Sequence, residues 1–301
     1  MHDIIIVGGG PAGLTAAIYG LRAGKTVLVI EKAGFGGQIA FSPKVENIPG
    51  HLCISGSEFA DKLTEQAMAL GADVELETVA EVIPGDVHTV RTEEGGVYQA
   101  KTVILAVGVK HRTLGLPGEE DLIGKGISFC AVCDGAFYAG QEVAMIGGGN
   151  SAMQEALLLS DVCKIVTIVQ NLPFFTGEKK LAEALAEKEN VKVLFSTLVS
   201  GYLQENGELT GLTLRGEDDS EQTISVDGAF LAVGLQPENG AFAAIAGLDE
   251  RGYFDADEHC LTKTPGIFVA GDCRRKNIRQ VATAAADGAV AAMAACRYIE
   301  Q

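Results

Sequence analysis

The chain has 301 residues, enough for two domains of ordinary size, and its 40 acidic against 23 basic residues leave a net charge of −17. That balance excludes a basic stripe for nucleic acid and opposes docking on an anionic membrane surface. Hydrophobic residues at 47% and charged residues at 21% mark a globular chain rather than a disordered one, and no apolar run reaches the roughly 18 residues of a membrane span.

Met1-His2-Asp3 leads directly into an apolar strand, Ile4-Ile5-Ile6-Val7, so no signal peptide is expected and a cytoplasmic location is. Gly8-Gly9-Gly10-Pro11-Ala12-Gly13 follows, then a helix from Leu14 to about Ala23 and a strand from Thr26 to Ile30 that ends at Glu31. This is a βαβ opening. Ser57 to Leu70 has helical periodicity, and Val74–Leu76, Glu81–Ile83 and Val87–Thr92 read as strands of a small meander. Thr102 to Val107 is an expected buried strand ending at Gly108.

A second opening comprises the strand Val143–Ile146, Gly147-Gly148-Gly149-Asn150-Ser151-Ala152, a helix to Ser160 and the strand Lys164–Val169. A helix near Glu178–Glu189 and a strand over Ala229–Val233 complete it. The last segment holds the strand Ile267–Ala270, then Gly271-Asp272, then an alanine-rich helix from about Val281 to Tyr298. The order predicts an α/β chain of two Rossmann-like (three-layer ββα) nucleotide-binding domains, the second inserted into the first. The first is expected over 1–113 and 241–301, the second over 114–240.

In the first loop Gly8 permits the tight turn, Gly10 the close approach of a pyrophosphate, and Gly13 the packing of helix on strand. Glu31 would accept a hydrogen bond from an adenosine ribose. The loop by itself does not separate flavin from nicotinamide. Asp272, after a buried strand, can bind ribityl hydroxyls or serve as a helix-entry turn. Arg279-Gln280 opens the last helix, whose positive end can stabilise a reduced isoalloxazine.

Of the seven cysteines only Cys130-Ala131-Val132-Cys133 are closely spaced, which fits a reducing compartment with one working dithiol. Half of a zinc site would need a second ligand pair, and none exists, so no metal is expected. A buried structural pair and a thioredoxin-type active site are the other readings, the first set against the polar turn Asp134-Gly135, the second against the chain's length. Cys53, Cys163, Cys260, Cys273 and Cys296 are expected to be small buried hydrophobes.

Phe35-Gly36-Gly37-Gln38, Val45-Glu46-Asn47-Ile48-Pro49-Gly50, Leu116-Pro117-Gly118-Glu119, Cys130 to Gly135, and Gly271-Asp272 through Arg279-Gln280 stand in order along the chain. In this set the chain resembles the low-molecular-weight thioredoxin reductases. The lipoamide-dehydrogenase type, with its cysteine pair soon after the first βαβ unit, fits poorly, because only Cys53 lies there. The resemblance implies a homodimer with tightly held FAD and thioredoxin as partner. It implies FAD contacts from Gly8, Gly10, Pro11, Ala12, Gly13, Glu31, Lys32, Gly37, Gln38, Asn47, Gly108, Gly271, Asp272, Arg279, Gln280 and Val281. It further implies that Cys133 sits against the flavin, Cys130 attacks the partner disulfide, and Asp134 is the acid/base.

One departure stands out. Family members that use NADPH carry a His-Arg-Arg-x-x-x-Arg run after the second loop, whereas this chain reads Val169-Gln170-Asn171-Leu172-Pro173-Phe174-Phe175. Losing two charged hydrogen bonds removes about 3–6 kcal/mol, on the order of a hundred- to ten-thousand-fold in affinity. The expected function is therefore a thioredoxin reductase-like flavoenzyme fed by a ferredoxin-type donor rather than NAD(P)H, resembling the flavin-dependent ferredoxin:thioredoxin reductases. Arg274-Arg275-Lys276 with Arg279 reads as a solvated turn or as a patch that docks an acidic ferredoxin, and Tyr298 as part of a frayed tail or as a shield for the flavin. The alternatives are an NADH- or NADPH-dependent reductase and a slow flavin redox sensor.

Overall fold

The computed structural model describes residues 1–42, 45 and 47–301. Glu46 of the Val45–Gly50 motif lies outside the described residues. The chain forms two compact units, one of 1–40, 48–110 and 236–301, the other of 41–47 and 111–235.

The first unit starts with β1 (His2–Val7), α1 (Pro11–Arg22), β2 (Val27–Glu31), α2 (Gly56–Ala69) and β3 (Asp73–Leu76). Three further strands follow, β4 (Val79–Ile83), β5 (His88–Thr92) and β6 (Val97–Leu105), and a two-residue strand, β7 (Lys110–His111), leaves the unit. Ser55 starts α2 by accepting the Glu58 N–H on its hydroxyl, an N-cap that ends the preceding loop.

The second unit begins with α3 (Glu119–Leu122), β8 (Ile127–Ser128) and the short α4 (Ala131–Asp134). Then come β9 (Glu142–Ile146), α5 (Asn150–Ser160), β10 (Ile165–Val169), α6 (Lys179–Ala186) and β11 (Val191–Leu194). An antiparallel meander of β12 (Thr197–Glu205), β13 (Glu208–Gly216) and β14 (Glu221–Ser225) precedes β15 (Gly228–Leu231). The strand β16 (Leu235–Gln236) pairs with β7. The chain then completes the first unit with α7 (Ala243–Ala246), β17 (Ile267–Val269) and α8 (Val281–Ile299).

In the first unit the sheet order is β3-β2-β1-β6-β5-β4, with β17 pairing β6. The Val74–Leu76 strand departs from expectation: it pairs parallel with β2 rather than joining the β4–β5–β6 meander. Its connection from β2 runs through α2, and a helical crossover delivers a strand parallel, not antiparallel. Side chains alternate across β1, so Ile4 and Ile6 meet α1 and α8 while Ile5 and Val7 meet Val90, Phe242 and Phe254. The many alanines of α8 let it lie close to α1; a Cβ on Gly288 would collide with the Ala12 carbonyl. The second unit repeats the scheme with an all-parallel sheet, β11-β10-β9-β15-β8. Val143 and Met145 pack on α5, while Ala144 and Ile146 pack on Leu212 and Leu214 of the meander. Both units are thus Rossmann-like three-layer α/β folds. Among the described residues no helix is long and apolar enough to cross a membrane.

Two charged motifs find their partners within their own unit. Glu119 of Leu116-Pro117-Gly118-Glu119 accepts the N–H groups of Leu114, Gly115 and Leu116 and the Tyr202 hydroxyl at 2.7–3.2 Å. The segment Arg274-Arg275-Lys276 is not the surface patch expected from its charge. Arg274 and Lys276, each 7% exposed, both bind Asp287 of α8, at 2.7 and 2.9 Å. Arg275 pairs with Asp255, and Arg279 lies 4.1 Å over the Tyr253 ring. Arg274 and Lys276 thus serve the unit's interior, and Arg275 is the exposed cation of the run, paired with Asp255 at the surface. Tyr298 is also displaced from its expected role. It meets Phe268 edge-on near the C-terminal end of α8, whereas the flavin is expected at the opposite, N-terminal end, roughly 1.5 Å per residue away along the helix.

Asp287 carries a testable consequence. Burial raises its pKa, but hydrogen bonds from Arg274 and Lys276 outweigh that and leave it below the ordinary value of 3.8. The triad's contribution to stability is therefore complete above that pH and disappears as pH falls through the folded-state pKa. Asp287→Ala strands two buried cations and is expected to lower unfolding free energy by about 3–5 kcal/mol at pH 7. Urea titrations at pH 7 and at successively lower pH check both the size of the difference and its loss in acid.

Candidate active site

The first unit builds a cradle at the β1–α1 turn. Gly8 has φ +108, and a Cβ there would strike the Ala106 carbonyl; a Cβ on Gly13 would strike the Gly8 carbonyl. Over Gly10, by contrast, a Cβ would find nothing nearer than 3.9 Å. The start of α1, with Pro11 in its first turn, has no side-chain cap and no acidic residue there, so the Ala12 and Gly13 N–H groups remain available to an anion. Glu31 accepts from Gly9 N–H at 2.6 Å and from Ala33 N–H at 3.0 Å, which fixes the carboxylate while leaving each oxygen a lone pair. Gly37, at φ +61, approaches Gly10, with 3.3 Å from an added Cβ to its Cα.

At the same end of the sheet, where Val269 and Val7 both stand level with Leu105, Gly271 turns at φ +83 beside Ala12 and presents Asp272. Burial pushes the Asp272 carboxyl up to about 6, against the opposing pull of Lys276 and Arg279. Its buried Oδ1 has no partner among the described residues. Arg279 donates to the Asp272 backbone carbonyl at 3.2 Å, Gln280 caps α8 in a reciprocal box with Thr283, and Val281 begins the helix. Gly108, at φ +66, has open space where a Cβ would be.

The remaining candidates are placed differently. Lys32 is paired with Glu238 at 2.7 Å, Gln38 is exposed, and Asn47 falls in the second unit's 41–47 segment. The cradle fits a flavin adenine dinucleotide. Glu31 suits a ribose, the uncapped α1 a pyrophosphate, the orphaned Asp272 oxygen a ribityl hydroxyl, and the start of α8 an electron-rich ring.

The second unit has the same loop with a different ribose position. Gly147 turns at φ +127, and α5 starts at Gly149 without a side-chain cap. Where the first unit has Glu31, the second has Gln170, buried and packed on Gly148, its Nε2 donating to the Phe174 carbonyl at 3.1 Å. Leu172 and Phe174 are exposed, and Lys179, on α6, pairs with Glu183.

The dithiol sits at the junction of β8 and α4. Cys130 is the N-cap residue of α4 and is disulfide-bonded to Cys133, with a Cα–Cα distance of 5.3 Å. Cys133 N–H donates to Cys130 Sγ at 3.2 Å. Val132 between them is half exposed. The Asp134-Gly135 turn is buried rather than solvated, because Asp134 folds back to accept the Ser128 hydroxyl at 2.5 Å. That hydroxyl in turn accepts Cys130 N–H at 3.1 Å. Burial raises the Asp134 pKa more than Ser128 lowers it, and Asp134 Oδ1 is buried without a partner among the described residues.

Ser128 and Glu155 complete this cluster and were not candidates from sequence. Glu155 Oε2 accepts the Ala131 N–H at 3.0 Å. Its signal was a carboxylate on the apolar face of a helix, in register with buried Ala152 and Leu159. Of the other cysteines, Cys163, Cys260, Cys273 and Cys296 are buried and Cys53 is exposed. Burial pushes the Cys163 thiol to about 11 and those of Cys260 and Cys273 to about 12, so these three stay protonated at neutral pH.

A family model described as pyridine nucleotide-disulphide oxidoreductase matches residues 2–288. The chain belongs to that family. It is 39% identical over 302 residues to the thioredoxin reductase of Listeria innocua, covering 100% of this chain and 95% of the relative. To the thioredoxin reductase of Bacillus subtilis it is 38% identical, covering 100% and 96%. Its fold matches the crystal structure of thioredoxin reductase from Streptococcus pyogenes with a TM-score of 0.92 at 36% identity, over 100% of this chain and 98% of that one.

Proposed function

We propose that this flavoenzyme reduces a thioredoxin-type disulfide through Cys130 and Cys133, with FAD held by the first unit. The observation that carries this is the Cys130–Cys133 disulfide at a half-exposed turn, in a chain whose other unit has an FAD-shaped cradle. Gly8, Gly10 and Gly13 with the start of α1 hold the pyrophosphate, Glu31 the ribose, and Asp272 the ribityl chain. Bound there, FAD supplies the electron pair that opens the disulfide.

The chain's own residues do the exchange. Cys130, as thiolate, attacks the partner's disulfide and forms a mixed disulfide while the partner's first sulfur leaves and takes a proton. Cys133 then attacks Cys130, re-forming the bond and releasing the partner's second thiol. Asp134, whose burial favours the protonated form, holds the exchanged proton near the turn through Ser128.

A pyridine nucleotide is the donor in the first reading, which rests on the retained Gly147-Gly148-Gly149 turn and the uncapped start of α5. Since 170–176 carries no cation for a 2′-phosphate, NADPH has no advantage over NADH. A second reading, a ferredoxin-type donor, is favoured by the apolar exposure of Leu172 and Phe174 and by the inward-turned amide of Gln170. Anaerobic stopped-flow mixing decides between them. NADH and NADPH bleaching the flavin at rates within about threefold of each other is the expected result. No bleaching by either, with bleaching by reduced ferredoxin, transfers the assignment to the second reading.

A further inference from the structure

We infer that Glu155 is a positioning residue of the disulfide centre: it holds the turn between Cys130 and Cys133 through the Ala131 N–H and sets how readily the two thiols ionise. This deepens the disulfide-reductase reading above and rests on it.

The geometry is specific. Ala131 N–H is the first donor of the four-residue turn carrying both sulfurs, and it is taken by a carboxylate from a different helix. Glu155 is enclosed between α5 and α4, and burial pushes its pKa up to about 7, against the Ala131 hydrogen bond and with the added push of the Asp134 charge. A carboxylate that titrates at neutral pH and binds the N–H next to Cys130, two residues before Cys133, couples its proton to theirs.

The surroundings leave little to offset that coupling. From α4 come Cys130, Cys133 and Asp134, and from the turn after it Tyr138, whose hydroxyl burial pushes to about 12, so it stays neutral. Strand β8 brings Ser128, and β9 and β10 meet α5 with Val143, Met145, Val166 and Ile168. On α6, Lys179 pairs with Glu183 and Lys180 is exposed. Among the described residues, the charge that acts on Glu155 is that of Asp134.

Opening the disulfide consumes one electron pair, supplied by reduced flavin, and two protons, and yields two thiols. An ionised Glu155 opposes a thiolate in the turn and keeps the sulfurs protonated. A neutral Glu155 removes that opposition, so one proton resides either on the carboxyl or on a thiol.

The test is the pH profile of iodoacetamide alkylation in the reduced holoenzyme, read by peptide mass spectrometry so that Cys130 and Cys133 are separated from Cys53. Glu155→Gln keeps an oxygen for the Ala131 N–H and removes only the charge. The midpoint of Cys130 and Cys133 alkylation is expected to fall by about one pH unit in the variant. A midpoint equal to wild type overturns the inference, since a purely structural hold survives the substitution. Should Glu155→Gln fail to fold, the wild-type curve decides: two inflections support the coupling and a single one overturns it. Failure of the underlying reading is seen separately, as wild-type enzyme that alkylates at both sulfurs yet turns over no thioredoxin disulfide.

Discussion

Cys130→Ser protein is expected to keep its FAD and lose thioredoxin reduction to below about a thousandth of wild-type turnover. The substitution is nearly isosteric, and Cys130 contributes to the fold only as an N-cap acceptor for the Cys133 N–H, a role a serine hydroxyl fills at least as well. What is lost is the sulfur. A serine hydroxyl neither ionises at neutral pH nor forms the mixed disulfide, and no second thiol replaces it. Cys163, Cys260, Cys273 and Cys296 are buried, and the exposed Cys53 has no close cysteine in the sequence to resolve a mixed disulfide. Cys133→Ser is expected to be equally inactive in turnover but to differ in kind, because Cys130 can still attack. It should trap a stable mixed disulfide with thioredoxin, visible on a non-reducing gel, where Cys130→Ser traps none. The reverse pattern would exchange the roles of the two sulfurs.

The second large effect is expected at Gly13. A methyl group there overlaps the Gly8 carbonyl and comes within 3.2 Å of Ile6 Cγ2, and both belong to the strand and turn that α1 must approach. Neither can retreat: Gly8 N–H is bonded to the Ile30 carbonyl at 2.8 Å, and Ile6 is fully buried in the middle of the sheet. The helix must move instead, and its N-terminal N–H groups move with it. Gly13→Ala is expected to lose at least about 3 kcal/mol of stability and to purify without FAD. Flavin absorbance per protein and the urea midpoint measure the two effects. Normal flavin content would show that the helix start does not hold the pyrophosphate.

The parts of this protein legible in its sequence are those whose requirements fall on neighbouring residues. The two glycine loops, the strands that feed them and the CxxC turn announce themselves because tight backbone geometry and a short-range disulfide depend on residues a few positions apart. Arg274 and Lys276 were misread for the opposite reason. Their charges are local, but the carboxylate that takes them inward, Asp287, lies nearly two turns into α8 and enters only once that helix docks. The strand Asp73–Leu76 was placed in the wrong part of its sheet because alternation reports a strand without naming its neighbour. The burial of the Asp134-Gly135 polar turn was not legible, because Ser128, which turns Asp134 inward, reads as an ordinary strand end. Glu155 was overlooked because its partner is a backbone N–H, which no residue type reveals.

The proposed activity requires that flavin and disulfide in this one chain share electrons. Anaerobic dithionite titration of the purified holoprotein, followed at the flavin absorbance and by alkylation of Cys130 and Cys133, measures that sharing. The expected result is a yellow protein that takes up one electron pair more than free FAD, the additional pair vanishing in either Cys→Ser variant. A colourless protein that does not take up FAD, or a titration complete at the flavin's own pair with the disulfide still closed, would contradict it.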